Sequence, residues 1–268
     1  MSVARRNNVK VMGEGAVAMV FAHGFGCDQN MWRLLAPRYA SRFRVVTYDL
    51  VGAGQSDLSA YDPGKYNHLS GHADDLLEVI EEFARGPVIF IGHSVSAMIG
   101  LLAGIRAPER FAAHVMIGPS PRYIDDGAYT GGFTQADIDS LLETLDSNYL
   151  GWASNMAPAI MGAPDQPELG LELAASFCRT DPDIAKQFAR VTFLSDNRAD
   201  LPKLSAPTLI VQSSDDLIAP VAVGEYMLRT LPNAQLRIVD NVGHCPHLSA
   251  PSASVEAIDD FLTALGNR

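Results

Sequence analysis

The chain has 268 residues, a formal net charge of −11, and 47% hydrophobic against 19% charged residues. That length buries about three-quarters of the unfolded surface, either in one α/β domain with an insertion or in two small domains. The acidic balance, with no basic cluster beyond Arg5-Arg6, excludes nucleic acid and anionic membranes as natural partners, and no apolar run approaches the roughly 18–20 residues that span a bilayer.

Met1 to Asn8 lacks the apolar centre of a signal peptide. The first predicted strand, Val17–Ala22, runs into His23-Gly24-Phe25-Gly26. The second, Arg44–Asp49, runs into Gly52-Ala53-Gly54, which lacks the third glycine and the following helix of a dinucleotide fingerprint and so reads as a structural turn. Leu69–Ala84 carries Leu76, Leu77, Ile80 and Phe83 at helical spacing. Strand Pro87–Ile91 ends in Gly92-His93-Ser94-Val95-Ser96, with a helical run from Ala97 directly behind it. A serine on so sharp a strand-to-helix turn has its Oγ exposed beside a helix N-terminus, the geometry of a nucleophile elbow, although Ser96 stands where the usual Gly-x-Ser-x-Gly pattern ends in glycine. Further strands are predicted at His114–Ile117, Thr208–Gln212 and Gln235–Val239, with helices at Val221–Thr230 and Pro251–Leu265. Runs that are apolar almost throughout are those of strands covered on both faces, and their alternation with helices predicts a mostly parallel, doubly wound α/β sheet.

Residues 120–196 break this alternation. Four helices are predicted there, Thr134–Leu145, Asn148–Met161, Glu168–Thr180 and Asp181–Phe193, with cap signals at Thr134 and at Asp181-Pro182. The predicted division is a core of residues 1–119 and 197–268 carrying a helical lid of residues 120–196 over an apolar pocket.

A nucleophilic serine needs a base, an orienting acid and oxyanion donors. The strand at Thr208–Gln212 leads into Asp215-Asp216 and the last strand into Gly243-His244, so the acid and base follow the serine in the order Ser, Asp, His, each beyond a strand's end. Ser94 is the candidate nucleophile and His244 the base. Spacing does not separate Asp215 from Asp216 as the acid, and Asp240, lying before the histidine loop, is a weaker rival. The backbone N–H groups of Val95 and Phe25 are the candidate oxyanion donors, and Phe25 also places a ring over the pocket. His23 and His93 read as structural residues beside glycines, and His68 and His72 as surface residues. His244-Cys245-Pro246-His247 has no matching second cluster and its Pro246 disfavours a helical pair of ligands, so no metal is expected. Cys27, Cys178 and Cys245 are an odd set without metal-like pairing, which predicts a reducing, cytoplasmic setting.

Taken together, these segments resemble the α/β-hydrolase superfamily over nearly the whole chain. Within it the chain is most similar to the RsbQ stress-signalling hydrolases of bacteria and to the karrikin and strigolactone receptors of plants. The resemblance is carried by 23–29, 92–100, Gly118 to Tyr123, Gly131-Gly132-Phe133, Phe177-Cys178 with Thr180-Asp181-Pro182, Gln187-Phe188-Ala189, Ser195-Asp196 and 243–249. It implies an α/β-hydrolase fold with a four-helix, V-shaped lid, and Asp216 rather than Asp215 as the acid. It also implies Phe25, Phe133, Trp152 and Phe193 as pocket aromatics, and a tolerance for Ser at position 96. No cofactor is implied. The chemistry expected is that of a serine hydrolase cleaving a small, largely apolar ester or lactone, butenolide-like, through an acyl-enzyme. The alternative is a ligand sensor with slow hydrolysis, read by a signalling protein partner as in RsbQ systems. Carbon–carbon bond hydrolysis and haloperoxidase-like chemistry are lesser readings on the same fold.

Overall fold

In the computed structural model, which describes residues 1–266, seven strands form one sheet in the order β1-β3-β2-β4-β5-β6-β7. They are β1 (Lys10–Met12), β2 (Ala18–Ala22), β3 (Arg44–Tyr48), β4 (Val88–His93), β5 (Phe111–Ile117), β6 (Thr208–Asp215) and β7 (Ala234–Val242). All neighbours are parallel except β1, which pairs antiparallel with β3 at the edge. The helices are α1 (Val3–Arg6), α2 (Ala36–Tyr39), α3 (Leu69–Phe83), α4 (Val95–Arg106), α5 (Gln135–Met161), α6 (Pro167–Arg179), α7 (Pro182–Phe193), α8 (Val221–Thr230), α9 (Pro246–Ser249) and α10 (Pro251–Gly266). Among the described residues no helix is long and apolar enough to cross a membrane.

The central strands are buried on both sides, which is why β2 and the start of β4 read as nearly continuous apolar runs. On β2, Met19 and Phe21 join a core with α2, α10 and the helices of the insertion. Ala18, Val20 and Ala22 face the opposite core, built on α3, α4 and α8. The strict alternation follows from the period of two along a strand.

The chain between β5 and β6 contains α5, α6 and α7 and no strand. The two helices predicted over 134–161 are one run broken at Asn148, whose backbone is non-helical (φ −152°, ψ 70°). Asn148 accepts from the Gly151 N–H through its own Oδ1 at 3.0 Å, capping the second half as an N-terminal residue would. Thr134 and Asp137 close a capping box at the start of α5, and Asp181 caps α7 by accepting from Asp183 and Ile184. Ion pairs Arg33–Glu172 (2.5 Å) and Arg179–Asp28 (3.1 Å) tie α6 to the loop and turn that follow β2. Exposed pairs of this kind contribute ~0–1 kcal/mol, so the apolar core shared with the sheet does most of the fastening.

His72, expected at the surface, is buried. It lies on the inner face of α3 with Leu69, Ala73, Leu76, Val79 and Ile80, and stacks on Tyr66 at 4.7 Å. Burial pushes it down to about 3. On β5, His114 is another buried ring, stacked on Phe111 at 4.8 Å. Neither of its ring nitrogens has a hydrogen-bond partner among the described residues, and burial takes it to about 3 as well. An unfolded histidine titrates near ~6.5. As pH falls from that value towards 3 the unfolded chain therefore takes up a proton that the fold refuses, and stability drops. His114 alone contributes a slope of up to about 1.4 kcal/mol per pH unit in that window. Urea unfolding of His114→Leu between pH 6 and 4.5 is expected to show roughly 2 kcal/mol less acid destabilisation than the wild type; an unchanged difference contradicts it.

Candidate active site

The C-terminal ends of β2, β4, β5, β6 and β7 converge under the helical insertion, where open parallel sheets place their ligands. At the end of β4 the chain turns into α4 through Ser94, one of two non-glycine residues with positive φ (56°, ψ −124°) among those described. The turn is held by the Ser94 N–H donating to the Ile117 carbonyl on β5 at 2.8 Å. A non-glycine residue held in this region costs of order 1–3 kcal/mol, and the surrounding contacts must supply it. The conformation projects Oγ away from the sheet.

β6 ends beside Asp216, whose carboxylate is fully buried. Its Oδ1 accepts from the Ile218 and Ala219 N–H groups at 2.8 and 3.1 Å, while Oδ2 lies 2.8 Å from His244 Nδ1. His244 Nε2 in turn lies 2.8 Å from Ser94 Oγ. Since Oδ2 can only accept, Nδ1 carries the hydrogen and Nε2 presents a lone pair to the serine hydroxyl. The two carboxylates weighed beside it from the sequence lie elsewhere: Asp215 is exposed and uses its backbone carbonyl to hold the Gly243 N–H at 2.7 Å, and Asp240 is exposed near Ser214. Gly118, at φ +56°, lets the imidazole pass, because a Cβ there would sit 3.1 Å from His244 Cε1.

The backbone of His244 is gripped twice. Its N–H donates to the Ile160 carbonyl at the end of α5 at 2.8 Å, and its carbonyl accepts from His93 Nε2 at 2.9 Å. His23 reads as expected for a structural residue: it accepts from the Leu50 N–H at Nε2 (3.0 Å) and donates from Nδ1 to the Gly24 carbonyl (2.9 Å).

Above Ser94 lies a small apolar cavity of roughly 120 Å³. Phe25, Phe133, Trp152 and Phe193, named from sequence, all line it together with Ser94 and His244. The Phe25 ring is at the centre of an aromatic cluster, 6.2 Å from Trp152, 5.8 Å from Phe177 and 6.0 Å from Phe193. Sequence reasoning missed Tyr123, Leu141, Met156, Ile160, Leu173, Phe177 and Thr192 as lining residues. Trp152, Met156 and Ile160 recur every fourth residue on α5, and Leu173 and Phe177 do so on α6, so a stripe was present to be read. Among the described residues the lining contains no lysine, arginine or carboxylate. Burial pushes the Tyr123 hydroxyl and the Cys27 and Cys245 thiols well above their usual ranges, so none of them competes with Ser94 as a ready nucleophile.

The fold supplies the partner that the His-Cys-Pro-His segment lacked in sequence: His93, Cys245 and His247 bring one ligand atom each within 4.8 Å of one another. The set fits a metal poorly. It has three members where a structural zinc takes four, and His93 Nε2 is already engaged with the His244 carbonyl.

An alternating sheet with an elbow serine, a buried acid–imidazole–hydroxyl chain and an apolar cavity define a hydrolase of the α/β class, and the chain belongs to the Alpha/beta hydrolase family, whose profile matches residues 19–258. It is similar to a karrikin insensitive 2 receptor of Petunia hybrida, with 40% identity over 243 residues and 90% of each chain covered. A strigolactone esterase of Arabidopsis thaliana is 38% identical over 220 residues, 82% of each chain. Among solved structures, a hydrolase from Oleispira antarctica is 41% identical with a TM-score of 0.94, covering 99% of this chain and 97% of that one.

Proposed function

We propose that this protein is a serine hydrolase that cleaves a small, largely apolar ester or lactone, butenolide-like, through an acyl-enzyme. The observation that carries the reading is the unbroken chain from Asp216 Oδ2 to His244 to Ser94 Oγ, both links at 2.8 Å, opening into an apolar cavity. In this reading Ser94 Oγ attacks the carbonyl carbon while His244 Nε2 takes its proton. The same imidazole then passes the proton to the leaving oxygen. Water then bonds to the acyl carbon while giving a proton to His244, and the imidazolium returns that proton to Ser94 Oγ as the acid leaves. Asp216 holds the Nδ1–H tautomer and stabilises the imidazolium. The Phe25 and Val95 N–H groups receive the oxyanion; neither is spent on another backbone acceptor in the loops and caps of the described residues. Phe25, Phe133, Trp152 and Phe193 hold the apolar part of the substrate. Residues 1–119 with 197–268 act as the core and 120–196 as a lid.

A cavity without a cation at its lining makes a charged acyl group costly to bury. Uncharged p-nitrophenyl butyrate is therefore expected to exceed its carboxylated isostere, the p-nitrophenyl hemisuccinate, by at least about 10² in kcat/KM. Equal rates, or no turnover of any ester or butenolide probe, contradict the reading.

A second reading is ligand sensing, with slow hydrolysis and a protein partner that reads the liganded state. It is favoured by the receptor names of relatives that match nine-tenths of the chain. A near-single turnover with a ligand-dependent shift in melting temperature supports it; multiple rapid turnovers without such a shift oppose it.

A further inference from the structure

The geometry points to a role for the two residues that flank the nucleophile: His93, one before Ser94, and Ser96, two after it, are positioning residues that hold the base loop and the oxyanion loop at fixed distances from Ser94 Oγ. The inference rests on the serine-hydrolase reading above and extends it to groups that take no part in the proton path.

His93 reaches across 151 positions of sequence to the base. Its Nε2–H donates to the His244 carbonyl at 2.9 Å in a buried setting. The ring cannot swing away. His247 packs against it at 4.5 Å between centroids, and Trp32 backs His247 at 4.8 Å. On its other edge His93 touches the oxyanion loop, since a Cβ on Gly24 would lie 2.5 Å from His93 Nδ1. A side chain at position 24 would therefore displace either the imidazole or the Phe25 donor.

Ser96 completes the arrangement on the opposite flank. Its Oγ–H donates to the His23 carbonyl at 2.5 Å, immediately ahead of Gly24 and Phe25. The departure from Gly-x-Ser-x-Gly thus has a physical use: glycine at 96 leaves the buried His23 carbonyl without this donor, whereas serine ties α4 to the loop that carries the Phe25 N–H. Both loops are anchored to the turn that presents Ser94, so base, nucleophile and oxyanion donor move as one body. Preorganisation of this kind governs rate because a 1 Å misplacement of reacting groups costs about 10².

The test uses the full chain and two readouts. One is kcat and KM for p-nitrophenyl acetate. The other is the rate at which a small fluorophosphonate labels Ser94, a step in which the Oγ–P bond forms, P–F breaks and His244 takes the proton. His93→Leu keeps the bulk and removes the donor. It is expected to lower kcat and the labelling rate together by about 10–10² with KM within about twofold. His93→Gln, whose amide nitrogen overlies the Nε2 position, is expected to recover the larger part of that loss, whereas His93→Asn, one methylene shorter, is not. Ser96→Ala is expected to lower kcat by about 3–10-fold. Where His93→Leu does not fold, the Gln and Asn variants carry the comparison. Folded His93→Leu labelled at the wild-type rate, or Gln no better than Asn, overturns the positioning role. Wild-type protein that the probe does not label defeats the serine-hydrolase reading itself, and with it this inference.

Discussion

Replacing Ser94 with alanine is expected to lower kcat for p-nitrophenyl butyrate by about 10⁴–10⁶ and to leave the melting temperature within about 3 °C of wild type. The size of the loss follows from the absence of a substitute among the cavity residues. Tyr123, Cys27 and Cys245 line the same space, but burial disfavours the ionised form of each. Among the described residues, only the Ser94 hydroxyl is paired with a lone pair on an imidazole that is itself oriented by a carboxylate. What remains after the substitution is the binding energy of the cavity and any oxyanion stabilisation, neither of which forms the covalent intermediate. Stopped assays with the purified variant, alongside its thermal melt, check both halves of the expectation.

Asp216→Asn is expected to lower kcat by about 10⁴ with a much smaller change in KM. The asparagine carbonyl oxygen takes over the bonds from the Ile218 and Ala219 N–H groups that Oδ1 now accepts. That leaves its NH₂ facing His244 Nδ1, which must then accept a hydrogen bond and moves the imidazole proton to Nε2. An Nε2–H pointing at Ser94 cannot receive the hydroxyl proton. Asp215→Asn is the internal control: that carboxylate is exposed, and the variant is expected to stay within about twofold of wild type. Comparable losses for the two variants contradict the assignment of the acid to Asp216.

The central strands were legible because both of their faces are covered, so β2, the start of β4 and the start of β6 show as nearly continuous apolar runs, and β2, β3 and β4 fall within a residue or two of expectation at their ends. β1 was not legible. It is a three-residue antiparallel edge strand, partly exposed and headed by Lys10, and carries too little apolar signal to distinguish it from a loop. The insertion was readable as helices, even to the boundary at Asn148, because helical spacing and the cap signals at Thr134 and Asp181 are local chemistry. His72 was misplaced although its position was recoverable: it shares the phase of Leu69, Leu76 and Val79 on α3, and its polarity hid that. Among the candidate site residues, Ser94 and His244 lie beyond predicted strand ends, where the order Ser, Asp, His can be read. Spacing did not separate Asp216 from Asp215; the family resemblance implied Asp216, and of the two carboxylates it is the buried one beside His244. The clasp from His93 to the His244 carbonyl was beyond sequence reasoning, because two residues 151 positions apart meet only once β4 and β7 have been placed in the sheet.

The Ile160 carbonyl at the end of α5 holds the His244 N–H, so the helical insertion and the candidate base share one backbone contact.

The most direct measurement is carbamoylation by p-nitrophenyl dimethylcarbamate, followed by intact-mass spectrometry and peptide mapping. A serine nucleophile activated as described releases about one equivalent of p-nitrophenolate in a burst, and the carbamoyl mass resides on the peptide at Ser94 in wild type and is missing from Ser94→Ala. Turnover with no modified Ser94, or a carbamoyl group found instead on Cys245, His244 or Tyr123, would contradict a mechanism through Ser94.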